Sequence, residues 1–179
     1  MESCYQFEGV NMIQHGEMVH DWYCDLLGKR KYQWDFGKAG NLIEQLIPLA
    51  LDPLNIRCYH IFHDCGKPYC RTVDDEGRQH FPNHAQVSHD KWLEVFGSKE
   101  IAWYILNDMA FHTLKGTELA NIIKDPRAPT LLLTAWAELH ANAQMFGGIE
   151  STSFKIKRKF LEKNTKKMMD SWVSERSPS

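Results

Sequence analysis

The chain has 179 residues with a formal net charge of −2, which fits one domain and excludes a global basic field advertising nucleic acid. Its 43% hydrophobic and 12% aromatic residues can bury a real core, and 25% charged residues is ordinary for a globular protein. No apolar run approaches the roughly 20 residues of a membrane helix.

The elements follow in chain order. "MESCYQFEGV" lacks the basic-then-apolar pattern of a secretory leader, and the cysteines (Cys4, Cys24, Cys58, Cys65 and Cys70) are odd in number. Both features predict free thiols and a cytoplasmic protein. Cys65 and Cys70 have no second pair at zinc-ligand spacing, so they are expected as packing residues. Val10–Gly28 has apolar residues at Ile13, Val19, Tyr23, Leu26 and Leu27, a helical period with Gly28 as its stop. A second helix is expected over Asn41–Leu51, kinked or ended at Pro48. "LNIRCYHIFHDCG" makes a third, with Gly66 as C-terminal cap and Ile56, Tyr59, His60 and His63 along one stripe.

The pattern breaks from Lys67 to Pro82, where "DDEG" is a turn signal. "HAQVSHDKWLEVFG", "KEIAWYILNDMAFHTLKG" and "PTLLLTAWAELHANAQMFGG" then read as helices, each closed by glycine. The last segment, "SFKIKRKFLEKNTKKMMDSWVSERSPS", is a basic helix with a frayed "SERSPS" end. Its inward side is expected to be Ile156, Phe160, Leu161 and Met168. Strand-like alternation is nearly absent. The fold class is therefore all-α, a compact helical bundle over residues 1–150 followed by a basic helix and tail over 151–179. Trp22, Trp34, Trp92, Trp103 and Trp136 are candidates for the core or for a homo-oligomer interface.

Nine histidines include three His-Asp dipeptides, His20-Asp21, His63-Asp64 and His89-Asp90. Only His63-Asp64 ends an apolar helix and runs into Gly-Lys-Pro. Imidazole beside carboxylate suits a first-row divalent metal. Lys67 would add positive charge without competing as a ligand. A catalytic ion needs more donors from other helices. His15 lies on the inner side of the first helix, with His20 as the alternative. His84 opens the helix after the turn. His112 shares a helix face with Ile101 and Ile105. Glu138 stands in an apolar helix, where an unpaired carboxylate would cost several kcal/mol; the alternatives are exposure, or a pair with His140 or Arg127.

"HDCGKP", "HFPNHAQVS", "MAFHTLKG" and "LLLTAWAELHAN" together resemble the HD-domain metal-dependent phosphohydrolases, closest to the HD module of bacterial CCA-adding tRNA nucleotidyltransferases. The resemblance covers Ile56 to Phe146 and has no nucleotidyltransferase head, so it implies a stand-alone HD-domain bundle. By that resemblance His63 and Asp64 are the namesake pair and Lys67 the lysine of the GK. His84 and His112 match the intermediate histidines, and His15 the first. Glu138 stands where the family has aspartate, one methylene longer. The longer interval between His15 and His63 implies an inserted loop at Trp34–Gly40.

The implied activity is hydrolysis of phosphate esters of nucleotides or RNA ends, phosphomonoester or 2′,3′-cyclic, with one or two divalent metal ions. His15, His63, Asp64 and Glu138 would hold one ion, and Asp64 would bridge to a second on His84 and His112. Asp64 and Lys67 would carry the chemistry, with Arg78 and His80 contacting substrate at the mouth. His80 or His89 would protonate the leaving oxygen. A (d)NTP phosphohydrolase and a catalytically inactive HD-fold regulatory module are the alternatives. The basic stretch Lys155–Lys167, seven cations against Glu162, would favour a phosphate backbone.

Overall fold

A computed structural model of the protein describes residues 1–176 apart from 3 and 8. In chain order the elements are β1 (Tyr5–Phe7), β2 (Val10–Asn11), α1 (Met12–Leu27), α2 (Gly40–Leu46), α3 (Pro53–Phe62), α4 (Lys67–Cys70), β3 (Thr72–Val73), β4 (Gln79–His80), α5 (His84–Phe96), α6 (Lys99–Leu106), α7 (Ala110–Thr113), α8 (Gly116–Lys124), α9 (Ala128–Ala141) and α10 (Thr152–Arg176). The fold is all-α as expected, the strands forming only two short antiparallel ladders, β1–β2 and β3–β4. Among the described residues no helix is long and apolar enough to cross a membrane. All five cysteines are free thiols.

The chain divides into two units, one of Met1–Asp21 and Pro53–Asp108, the other of Trp22–Asp52 and Met109–Ser179. In the first unit α1 starts at a reciprocal cap. The Asn11 carboxamide oxygen accepts the Ile13 and Gln14 amides at 3.0 and 2.9 Å, and the Gln14 side chain accepts the Asn11 amide at 3.0 Å. Three otherwise orphaned amide donors are thus satisfied by the two side chains. The buried stripe of Met12, His15 and Val19 then faces inward. α3 begins at Pro53, whose fixed φ suits a first helical position, and buries Ile56, Tyr59 and His60. Tyr59 stacks on Tyr104 of α6 and donates its hydroxyl to Asp108 at 2.5 Å. α5 ends as predicted at Gly97, which takes φ +70° and returns its amide to Leu93. "DDEG" forms the turn between β3 and β4, the Gly77 amide bonding to Asp74.

In the second unit α9 is the central element: every residue is buried except the half-buried Glu138. α10 packs on α9, α7, α8 and α2 through Phe154, Leu161 and Met168. Ile156, expected on this inward side, is 64% exposed; it lies two residues from Phe154, and the burial follows Phe154 instead. Trp136 donates to Thr165 at 3.1 Å and Asn164 to the Phe111 carbonyl at 2.9 Å, so α10 is also fastened by polar contacts. The Trp34–Gly40 loop brings Trp34 and Phe36 against His140. The ring sits among Trp22, Trp34, Phe36 and Phe154.

Several boundaries differ from expectation. The helix at Asn41 ends at Leu46 and tightens into a 3-10 turn at Ile47–Leu49 containing Pro48. α3 stops at Phe62, and Gly66 precedes α4 with helical φ, so it is no C-terminal cap. The long helix expected from Lys99 to Gly116 is broken into α6 and α7. Asn107 folds its amide back onto the Trp103 carbonyl at 2.8 Å and ends the first piece. His112 therefore stands on α7 and shares no helix with Ile101 and Ile105. Gly116 opens α8, a helix beyond those the sequence pattern predicts, instead of closing one. α10 continues to Arg176, through the start of the stretch expected to fray; 177–179 lie outside the described residues.

Candidate metal centre

In the first unit the centre is built around Asp64. The carboxylate is 2% exposed. The Lys67 ammonium donates to Oδ2 at 2.6 Å, His63 Nε2 is 3.3 Å from Oδ2, and His84 Nε2 is 3.7 Å from Oδ1. Burial by itself pushes the Asp64 carboxyl up, but His63, Lys67 and His15 outweigh it and hold it well below the usual range. The result is a buried oxygen donor whose charged form is favoured by its neighbours.

The histidines are oriented through their far nitrogens. His63 Nδ1 donates to the His60 carbonyl at 2.7 Å, and His84 Nδ1 to the Phe81 carbonyl at 3.1 Å. Each bond reaches back three residues, places a proton on Nδ1 because a carbonyl can only accept, and aims Nε2 at Asp64. His15 is fully buried and its ring meets that of His63 edge-on, centroids 5.2 Å apart. His20, the alternative, pairs instead with His60, Nδ1 to Nδ1 at 3.0 Å. The tautomers of that pair are complementary, one donating and one accepting.

Two glycines set these approaches. A Cβ on Gly16 would fall inside contact distance of the His60 carbonyl and of Ile61. A Cβ on Gly66 would collide with the Val87–Ser88 backbone. The bare backbone at Gly16 lets α1 bring His15 against α3, and that at Gly66 lets the turn after Asp64 press on α5, which carries His84. The Gly66 amide seals the second approach by donating to Ser88 Oγ at 2.8 Å.

In the second unit Glu138 meets His112, Oε2 to Nε2 at 3.2 Å, with both side chains largely buried. Asn142 also reaches Glu138 at 3.5 Å. The alternative partners are engaged elsewhere: Arg127 grips Asp125 at 2.6 Å, and His140 accepts the Asp35 amide at 3.0 Å while donating to the Trp136 carbonyl at 2.8 Å. Burial pushes His140 down to about 4, which fits a ring used as a neutral donor and acceptor. His15 and His63 in the first unit and Glu138 in the second are, taken separately, imidazole and carboxylate donors of the kind first-row divalent metals take.

Of the remaining candidates, Arg78 and His80 are exposed and His89 is half-buried. Arg78 and His80 sit on the β3–β4 hairpin and bind Asp74 at 2.9 and 2.8 Å, with Arg78 also on Glu76. His89 bonds Asp90 at 2.7 Å. Arg78 thus pairs with two of the turn's three acids, Asp74 and Glu76. Cys65 and Cys70 make weak bonds to the Ser88 and Lys67 carbonyls, as packing residues do. Sequence reasoning missed His60, whose carbonyl orients His63, and the two spacing glycines. The His-x-x-His interval, the glycine next to His15 and the glycine two residues after Asp64 were the available signals. No protein-family model, curated protein or solved structure matches the chain.

Proposed function

We propose that the chain is a metal-dependent phosphohydrolase of the HD type, acting on phosphate esters of nucleotides or RNA ends. The observation that supports it most is the Asp64 cluster: a buried, ionised carboxylate beside His63 and His84, both with Nδ1 already engaged. Such residues fit a divalent cation, because Nε2 and carboxylate oxygen are its preferred donors and the backbone carbonyls hold the rings in place. His15, His63, Asp64 and Glu138 would hold one ion, with His84 and His112 for a second. A bound ion would supply an acidified water and a polarised phosphoryl oxygen.

The chain's own residues do the rest. Asp64 keeps Lys67 in place at 2.6 Å, and the ammonium has further protons to offer a phosphate oxygen. Burial of Lys67 to 8% exposure strengthens that attraction by excluding water. Arg78 and His80 would meet the substrate from the hairpin, and His80 or His89, each held by a carboxylate, would protonate the leaving oxygen.

A phosphate-release screen tests the proposal. It covers 2′-, 3′- and 5′-nucleotides, 2′,3′-cyclic nucleotides, (d)NTPs and phosphorylated RNA ends, each with Mn, Fe, Co, Ni, Zn and Mg. Release from esters or RNA ends supports it, and release confined to (d)NTPs moves the activity to the nucleotide pool. No release from any substrate, with no metal bound after growth in supplemented medium, points to an inactive binding module.

A further inference from the structure

Wholly inside the second unit, a groove of about 490 Å3 separates the Gly37–Leu46 stretch from α10. Its floor is Ala39 and Leu42, and its walls carry Lys38, Lys159, Lys163 and Lys166 against a single acid, Glu162. That acid is already countered, since Arg158 lies 3.1 Å from it along the helix. Lys166 is shared with Asp170 at 2.6 Å, while Lys38, Lys159 and Lys163 have no ion pair among the described residues. Positions 159 and 163 are i and i+4 neighbours, a placement at which like charges repel. The helix therefore bears a standing electrostatic cost that an anion would relieve.

We infer that this groove binds the phosphate backbone of a single RNA strand, without regard to base sequence. The row 159, 163 and 166 spaces its cations about 6 and 4.5 Å apart along the helix axis, from a rise of about 1.5 Å per residue. Repeated cations at that interval suit repeated phosphates better than one isolated anion. Lysines act as mobile point charges instead of the rigid forks that read a fixed partner. The lining contains no aromatic ring on which a base could stack. Affinity must then come from phosphate contacts and fall steeply with salt. The groove shares no residue with the metal centre, and strand binding there needs no metal.

Binding of a fluorescein-labelled oligouridylate to the full chain tests it. Anisotropy is read in chelator, so the result does not depend on turnover. Combining Lys159→Glu with Lys163→Glu is expected to weaken binding by about tenfold or more. It should also flatten the slope of log affinity against log salt by about 1.4, roughly 0.7 for each phosphate no longer neutralised. Lys157→Glu makes a matching change on the same helix, but Lys157 lies over the Phe146 ring, outside the groove; it should alter binding less than about threefold, the response of net charge alone. All three lysines are exposed, so the fold should survive, and circular dichroism checks that it does. An equal weakening in the Lys157 variant, or a flat salt response in the wild type, overturns the inference. So does displacement by tripolyphosphate as efficient, per phosphate, as displacement by unlabelled oligouridylate, because the groove would then be a free-polyphosphate site.

Discussion

His63 donates its Nδ1 proton to the carbonyl oxygen of His60, one turn earlier in the chain, at 2.7 Å. That bond turns Nε2 toward Asp64, 3.3 Å away, and makes a backbone group part of the candidate centre.

Asp64→Asn keeps the shape of the side chain and removes its charge. The purified variant is expected to retain less than about a tenth of wild-type phosphate release and to lose bound metal, since removing the ionised donor should raise the barrier by well over about 1.4 kcal/mol. Metal content by mass spectrometry and single-substrate turnover check it. Retention of both would remove Asp64 from the centre.

Glu138→Gln tests whether the longer carboxylate is a ligand. Metal affinity should fall at least about tenfold, roughly 1.4 kcal/mol. The thermal midpoint in chelator should move little, because the amide still reaches His112. An unchanged titration by isothermal calorimetry would leave Glu138 as a packing partner of His112 only.

Gly16→Ala and Gly66→Ala insert a methyl where backbone already sits. Each should destabilise the protein by about 1–3 kcal/mol, the usual range for overpacking. Gly40→Ala is the contrast: nothing lies within 4 Å of its added methyl, its φ is −48°, and it opens α2. It should stabilise by about 0.4–1 kcal/mol through the unfolded chain. Urea unfolding of the three variants decides, and a neutral Gly16→Ala would mean that α1 and α3 do not approach as described.

How much of this was legible from the sequence depends on the span involved. His63, Asp64 and Lys67 fall within five residues of chain, so one helix end and one turn suffice to bring them together, and the motif announces itself. His15 was legible because a histidine four residues before Val19 shares its helical face. The break at Asn107 was not, because the apolar period runs on unperturbed from α6 into α7. Only the side-chain bond back to Trp103 and the pull of Asp108 on Tyr59, 49 residues earlier, interrupt the helix. The partner of His140 was equally hidden, since Asp35 is 105 residues away. The resemblance itself gained no relative from comparison with known proteins, so the site rests on its geometry.

Asp74 gives a prediction in pH. The His80 hydrogen bond first, and then Arg78, lower its carboxyl to about 2. A carboxyl lowered on folding contributes stability that is complete above its ordinary value near 4 and is lost as pH falls toward 2. His80→Ala should move the Asp74 midpoint upward, read from its carboxyl carbon shift by NMR. No movement would show that the imidazole does not grip Asp74 in solution.

His140 uses both of its ring nitrogens, one on the Trp136 carbonyl and one on the Asp35 amide, behind a wall of aromatic rings. An imidazole so occupied has no lone pair to give an electrophile. Diethyl pyrocarbonate should therefore pass over it in the native protein and acylate it only after unfolding. Its delayed labelling offers a clock for the opening of the second unit, independent of any assay of catalysis.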